Sequence, residues 1–119
     1  MIWSLKQVGG RSNAARVAHI ERRLQFALAR FSGQIQRVQV VLEDQNGPRG
    51  GLDKSCRLVV RLREAGDVVA EVTDVNWEVA VDRATTRAGH TVARRLARRR
   101  ASRRIARPLL KSSPGVKSW

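Results

Sequence analysis

SCRLVVRLREAGDVVAEVT, residues 55–73, is the stretch that decides the fold of this chain. Apolar and polar side chains alternate before and after a short turn, the period-two pattern of two strands that each bury one face. The stretch therefore predicts a β-hairpin, with strands at 55–63 and 68–73 and a tight turn at 65–67. The side chains predicted to face the core are Cys56, Leu58, Val60, Leu62, Val68, Ala70 and Val72.

Upstream of this hairpin, the sequence predicts a loop, two further strands and one helix. The loop is the turn-rich QNGPRGG at 45–51. Residues 35–43 alternate like the hairpin strands, and residues 2–8 show a weaker strand pattern. Between them, Ser12 or Asn13 is a suitable N-cap for a helix. That helix extends to about Phe31, and its apolar face consists of Val17, Ile20, Leu24, Ala27, Leu28 and Phe31.

Downstream of the hairpin, the sequence predicts a long helix that begins near Asp74 or Asn76. At about 100° per residue, its apolar residues form one stripe. The stripe consists of Trp77, Val81, Ala84, Ala88, Val92 and finally Leu96. Beyond it the core-side positions hold arginines, so residues 97–107 are expected to project from the domain. The tail from residue 108 is expected to be disordered.

The predicted order of elements is β-α-β-β-β-α. It indicates an α+β fold with both helices packed on one face of a small sheet, because only one face of each strand is apolar. This layout is similar to that of double-stranded-RNA-binding domains. We expect a folded α+β domain at residues 1–97, followed by a basic and partly disordered C-terminal helical extension at residues 98–119.

Charge is strongly segregated along the chain. The sequence contains 24 Lys and Arg against 10 Asp and Glu, a formal net charge of +14. Residues 83–119 hold 12 of the basic residues and no acid, whereas residues 1–82 hold 12 basic and 10 acidic residues. Basic charge concentrated in this way is typical of proteins that bind a polyanion, most often nucleic acid.

Two helical faces carry the candidate contacts to that polyanion. The long helix has a basic stripe roughly opposite its apolar one, and the first helix has a smaller basic cluster. If both helices lie on one face of the sheet, the two basic surfaces become continuous. Phe26 points away from the apolar stripe. Its ring could stack on a base, or it could contact the loops or the tail. The predicted RNA-binding residues are Arg16, His19, Arg22, Arg23, Arg30, Arg83, Arg87, His90, Arg94, Arg95, Arg98 and Arg99.

Little in the sequence indicates catalysis or a bound cofactor. His19 and His90 stand among arginines on separate helices, with no acid or cysteine at a triad or metal-ligand spacing. The single Cys56 excludes an internal disulfide, and its apolar neighbours predict a small buried residue. No apolar run approaches the ~18 residues of a membrane span, and the N-terminus lacks a signal-peptide pattern. We expect a cytoplasmic protein, not an enzyme, without metal, cofactor, small-molecule substrate or membrane contact.

The segment TDVNWEVAVDRATTRAGHTVARRL, residues 73–96, resembles the second helix of a known family. That family is the ribosome hibernation promoting factors, also called protein Y or ribosome-associated inhibitor A. Its small-apolar-acidic triplet falls at residues 80–82, and its spaced basic positions fall at Arg87, His90 and Arg94.

The segment HIERRLQFALARF, residues 19–31, is similar to the first helix of the same family, with Arg22 and Arg23 at its basic pair. The resemblance covers roughly residues 14–100. One departure is Glu78, which stands where the family often has an aromatic residue. Another is the C-terminal arginine run, which is stronger than in short members, while the separate dimerisation domain of long members is missing from this sequence.

The resemblance implies a specific function. Members of this family bind the small ribosomal subunit in the channel through which mRNA and tRNA pass, and their two helices contact 16S rRNA phosphates. Occupying the channel blocks initiation and preserves idle ribosomes in stationary phase or stress. By this resemblance the chain is expected to act as a stoichiometric plug on the 30S subunit or the 70S ribosome, and to be a monomer off the ribosome.

Other functions fit parts of the sequence. A double-stranded-RNA-binding module shares the α-β-β-β-α order, but it would place basic residues where this chain has Asp74, Glu78 and Asp82 at the start of the second helix. A nucleoid-type or plasmid-borne protein would use the basic arm to bind DNA without specificity. The arm could also meet an acidic protein or a membrane surface, although it has no clear amphipathic face beyond Leu96.

Overall fold

The structure is a computed structural model that describes residues 2–9, 11, 13–45 and 53–112, with residues 103–112 described by their backbone alone. Its elements follow the predicted order, and the α+β fold is confirmed. They are β1 (Trp3–Val8), α1 (Ala14–Leu28) with a 3₁₀ turn (Ala29–Phe31), β2 (Ile35–Asp44), β3 (Lys54–Leu62), β4 (Gly66–Asp74) and α2 (Trp77–Ser112).

The four strands form one mixed sheet in the order β1-β2-β3-β4. β1 runs parallel to β2, while β2, β3 and β4 pair antiparallel. The strand at the N-terminus, weakly marked in the sequence, therefore lies at one edge, and β4 lies at the other. Because α1 separates the two parallel strands in the chain, it serves as the crossover that a parallel pair requires.

The turn of the β3–β4 hairpin lies two residues earlier than predicted. Leu62 pairs with Gly66, so the loop consists of residues 63–65 and β4 already begins at Gly66. Gly66 has φ of 77°, a left-handed conformation that a residue without a Cβ adopts at low cost. A three-residue loop closed by a left-handed glycine is a common hairpin connection. The predicted loop at 45–51 lies mostly outside the described residues.

Both helices begin at an asparagine cap. The Asn13 side chain accepts a hydrogen bond from the Arg16 amide at 2.7 Å. The Asn76 side chain accepts from the amides of Glu78 and Val79 at 2.7 and 3.2 Å. These bonds satisfy amides that have no partner within the first turn of a helix. Of the caps that the sequence left open, the structure uses Asn13 and Asn76.

The core lies between the helices and one face of the sheet. Cross-strand rows such as Val40–Leu58–Ala70 are buried, and they alternate with outward-facing residues along each strand. The apolar stripes of both helices complete this core, with Ile20, Leu24 and Leu28 fully buried on α1 and Ala84, Ala88 and Val92 fully buried on α2. The predicted packing of both helices on one sheet face is therefore confirmed.

Cys56 is fully buried in this core, as predicted. Burial raises the pKa of its thiol to about 12, because the apolar surroundings disfavour the charged thiolate. The thiol is thus a packing group in the folded protein.

The long helix continues well past the core. Leu96 is its last buried residue, and Ala97 and Arg98 are exposed. The helix then runs on to Ser112, about 24 Å further at 1.5 Å per residue. Residues 108–112 are helical in this structure, where the sequence predicted the start of a disordered tail, and residues 113–119 lie outside the described part. None of the described helices is apolar enough over a sufficient length to cross a membrane.

Candidate nucleic-acid interface

The two helices pack directly against each other on the sheet, which makes their outer sides one surface. At the crossing, a Cβ added to Gly89 of α2 would lie 3.0 Å from the Ala27 carbonyl oxygen of α1. The missing side chain therefore permits the close approach of the two backbones. The basic clusters that the sequence predicted on separate helices are brought together by this contact.

Asp82 of α2 joins the two helices through polar contacts. One carboxylate oxygen lies 2.7 Å from His19 Nε2 and 3.3 Å from Arg23 Nε of α1. Arg23 also donates to the Thr86 hydroxyl at 3.1 Å. The acid and its two partners on α1 are only partly exposed. Their side-chain exposures are 21% for His19, 27% for Arg23 and 44% for Asp82.

This cluster gives His19 an acidic partner that spacing along the chain did not indicate. Asp82 is 63 positions away along the chain, and only the packing of α1 on α2 brings it within 2.7 Å. His19 and Arg23 are therefore directed toward α2 and engaged with its carboxylate. Their positions on the helical wheel of α1 indicated a polar face but could not reveal its partner.

Two further arginines cover the open edge of the sheet. Arg87 donates to the Glu71 carbonyl at 3.0 Å, and Arg95 donates to the carbonyls of Ala65 and Asp67 at 2.8 and 3.2 Å. An edge strand presents unpaired carbonyls that other strands can bind, and cationic side chains are one way to block it. Arg87 and Arg95 thus have a role within the fold in addition to any contact with RNA.

Six more of the predicted basic residues are exposed on the two helices. Arg83 is exposed and pairs with Asp74 at 3.2 Å. Within the described part of the chain, the others form no ion pair, although Arg30 lies over the Phe31 ring at 4.6 Å and Arg94 donates to the Thr91 hydroxyl at 3.3 Å. These exposed and unpaired residues are Arg22, Arg30, His90, Arg94 and Arg98.

This surface contains a shallow depression of about 440 Å³ on α2. Its single acid, Asp82, is already engaged by His19 and Arg23, so the depression is positive overall. Guanidinium groups arranged along a helix can each bind a phosphate of a nucleic-acid backbone. The residues that line it are Asp82, Arg83, Thr86, Arg87, His90 and Arg94.

Arg16 and Arg99 lie at the two ends of the helical layer. Arg16 stands over the Trp77 ring at 5.0 Å and donates to the Arg11 carbonyl at 2.7 Å. Lys54 approaches the same ring at 5.9 Å, and its hydrogen bonds to Asp44 and Asp53 raise its pKa. The sequence did not single out Lys54, because only the fold brings this residue close to α1 and α2.

At the opposite end, Arg99 lines a cleft of about 320 Å³ where α2 leaves the sheet. Leu96 and Arg100 of α2 meet Arg63 from the hairpin loop there, so this cleft is also basic. The structure thus distributes the twelve predicted residues over the helix junction, the sheet edge, the outer helical surface and the two ends of the layer. No group of three or more His, Cys, Asp or Glu within the described ranges could hold a metal ion.

Residues 11–100 match the sequence profile of the family described as sigma 54 modulation protein / S30EA ribosomal protein. The chain belongs to this family. The match covers α1, β2, β3, β4 and α2 as far as residue 100. It therefore includes the core-packed parts of both helices that carry the basic surface.

Two solved structures resemble this protein in fold. A ribosomal subunit interface protein from Coxiella burnetii superposes with a TM-score of 0.71 at 14% identity, over 82% of this chain and 99% of that chain. The N-terminal domain of protein Y from Thermus thermophilus superposes with a TM-score of 0.64 at 23% identity, over 79% of this chain and 98% of that chain. Among curated proteins, none matches the sequence.

At these identities, the likeness to the two structures shows a shared fold. Together with the family profile it confirms the resemblance to the protein Y family drawn from the second-helix segment at 73–96. Membership of a family of S30EA ribosomal proteins associates the chain with the ribosome.

Proposed function

We propose that this protein binds 16S rRNA in the mRNA and tRNA channel of the small ribosomal subunit, and thereby silences and stabilises idle ribosomes. The observation that carries the proposal is the unpaired basic surface across the two packed helices, which includes the exposed cations Arg30, Arg94 and Arg98. Family membership supports it, as does the fold shared with a ribosomal subunit interface protein and with protein Y.

The charge distribution favours recognition of a folded RNA surface. The helical face is positive, whereas exposed charges of both signs lie across the other face of the sheet, where Arg57 pairs in register with Glu71, and Arg61 with Asp67. A one-sided positive surface orients the protein on a polyanion as well as attracting it. The extended α2 carries further positive charge beyond Leu96, which we expect to strengthen binding without choosing the site.

The start of α2 disfavours a double-stranded-RNA-binding mode. Asp74 lies there and pairs with Arg83, and Glu78 is exposed in the first turn. Those carboxylates would face the phosphates that such a module contacts with the N-terminal end of this helix. We expect a protein that is monomeric off the ribosome, acts in the cytoplasm and is most abundant in stationary phase or under stress.

The test compares two double variants with the same loss of charge. Arg94→Gln with Arg98→Gln removes two cations from the helical surface, and Arg57→Gln with Arg61→Gln removes two from the other sheet face. Glutamine is preferred to glutamate because Glu71 and Asp67 lie opposite the β3 arginines, where like charges would destabilise the sheet. Binding to purified 30S and 70S particles is measured by sedimentation over a range of salt concentrations.

We expect the helical variant to bind more weakly and its plot of log K against log salt to be less steep by about 1.4–1.8, since each lost phosphate contact removes about 0.7–0.9. The sheet variant should bind like the parent protein. Protection of 16S rRNA from hydroxyl radicals should map to the channel, and mRNA with initiator tRNA should compete. Equal weakening in both variants, or a protein that stays at the top of the gradient while duplex DNA retains it, would refute the proposal.

A further inference from the structure

A narrow groove between α1 and α2 lies on the same surface as the unpaired cations. It encloses about 200 Å³, and its lining residues are Phe26, Ala27, Arg30, Thr86, Gly89 and His90. Gly89 and Ala27 form a close contact between the two helices, with 3.0 Å from a Cβ built on Gly89 to the Ala27 carbonyl oxygen. The two helix backbones therefore lie close together beneath the groove.

Phe26 contributes an aromatic ring to this groove from α1. Its side chain is 81% exposed, the most exposed of the large apolar residues in the described part of the chain. The neighbouring Arg23 guanidinium lies 5.2 Å from the ring centre, and Arg23 is itself fixed by Asp82 and Thr86. Such a cation–π contact restrains the ring while most of its surface stays open to solvent.

A single exposed apolar residue is common on protein surfaces. What distinguishes Phe26 is its surroundings. The imidazole of His90 lines the same groove from α2, and Arg30 lines it from α1. Thr86 and His90 also line the adjoining positive depression that contains Arg94. The exposed aromatic ring of Phe26 thus lies beside a surface lined by cationic and polar side chains.

We infer that this groove holds one unpaired base of RNA, stacked on the Phe26 ring, while Arg30 and Arg94 bind the flanking phosphates. This inference rests on the proposed function and assigns it a site for a single-stranded or extruded nucleotide. Aromatic side chains stack on any base, and unpaired bases in loops and bulges can reach them. Bases within a duplex are stacked on each other and cannot enter a groove of this size.

The test replaces the aromatic ring with a branched aliphatic side chain, which keeps much of the apolar bulk. Phe26→Leu is compared with the parent protein and with Val69→Ala, which trims an apolar side chain that is 53% exposed on the other sheet face. The probe is a short single-stranded RNA that contains one 2-aminopurine, whose fluorescence falls when it stacks. Affinity is measured by anisotropy, with duplex RNA of the same sequence as a second ligand. Urea unfolding curves verify that all three proteins are equally stable and folded.

We expect Phe26→Leu to lower the affinity for the single strand by about 5- to 150-fold, the range that stacking one base supplies. The salt dependence should stay unchanged, because the phosphate contacts are intact. Quenching of 2-aminopurine at saturation should be lost in Phe26→Leu. Val69→Ala should keep both the affinity and the quenching of the parent protein. Unchanged affinity and quenching in Phe26→Leu, or equal losses with single-stranded and duplex RNA, would overturn the inference.

The outcomes separate this inference from the proposed function. If ribosome binding depends on Arg94 and Arg98 but RNA stacking does not depend on Phe26, the groove is no base site and the proposed function stands. If quenching depends on Phe26 but the protein does not bind ribosomal particles, the groove is a base site and the ribosomal proposal fails.

Discussion

Replacing Gly89 with alanine tests whether the helices pack as closely as the structure shows. The added Cβ would lie 3.0 Å from the Ala27 carbonyl oxygen and 3.5 Å from the Ala27 Cβ. The first distance is roughly 0.5 Å shorter than a favourable contact between nonbonded heavy atoms. The oxygen belongs to the backbone of α1, so it cannot rotate away as a flexible side chain would. Relief of the contact requires the two helices to separate.

Two opposing effects decide the change in the free energy of unfolding. Alanine in place of glycine stabilises a helix interior by about 1 kcal/mol. Overpacking a tight contact costs about 1–3 kcal/mol. We therefore expect Gly89→Ala to lower the stability by up to about 2 kcal/mol, with no gain from the better helix former. For a domain of this size, a loss of 1 kcal/mol corresponds to a fall in Tm of about 4–8 °C.

Urea unfolding followed by far-ultraviolet circular dichroism measures the change, with Ala18→Gly as the control. Ala18 is exposed in α1, so its substitution reports helix propensity alone, about 1 kcal/mol of destabilisation. The control gives the gain in stability that helix propensity alone predicts for Gly89→Ala. The packing cost is this gain minus the change in the free energy of unfolding measured for Gly89→Ala. A Gly89→Ala protein that is more stable by the full propensity gain would show that the helices are further apart than described.

The same assay checks substitutions at four other positions. Asp82→Asn should destabilise the domain by about 1 kcal/mol, a small value because the side chain is 44% exposed, and the loss should vanish when the two α1 partners are first removed. Asn76→Ala should lower the stability by about 1 kcal/mol through loss of two capping bonds, and Asn76→Asp should keep the stability of the parent protein. Leu24→Ala should cost about 2–5 kcal/mol because the side chain is fully buried, and a cost below 1 kcal/mol would contradict the described core. Since the pKa of Cys56 rises from 9.0 to about 12 on folding, the unfolded state releases its proton first, and stability should fall by about 1.4 kcal/mol per pH unit above pH 9. Cys56→Ala should lack this loss, and an equal loss in that variant would assign it to other groups.

Much of the fold is predictable from local patterns. Alternation in residues 55–73 places the hairpin, and the spacing of Ile20, Leu24 and Leu28 places α1 and its buried face. The hairpin turn was misplaced by two residues, because Leu62 pairs with Gly66 and the left-handed glycine closes the loop from inside the strand. The length of α2 beyond Leu96 is also difficult to predict, because the core-side positions there hold arginines and no apolar stripe continues.

The candidate surface is predictable only in part. Helical spacing identifies which face of α2 is basic, and the structure leaves Arg94 and Arg98 exposed on that face. The same spacing also includes Arg87, which donates to a carbonyl of the sheet edge. It places Phe26 off the apolar stripe of α1, but it does not indicate the groove beside this residue. Those features depend on how α2 lies relative to β4 and α1.

The sequence by itself determined the order of elements, their buried faces and the segregation of positive charge. It could do so because polarity at a period of two or 3.6 residues is a local property of the chain. Tertiary structure alone decided which cations stay available to a partner. His19 and Arg23 meet Asp82 from 63 and 59 positions away, and Gly89 meets Ala27 from 62 positions away. Such contacts arise when two helices pack on one sheet, and spacing along the chain does not specify them.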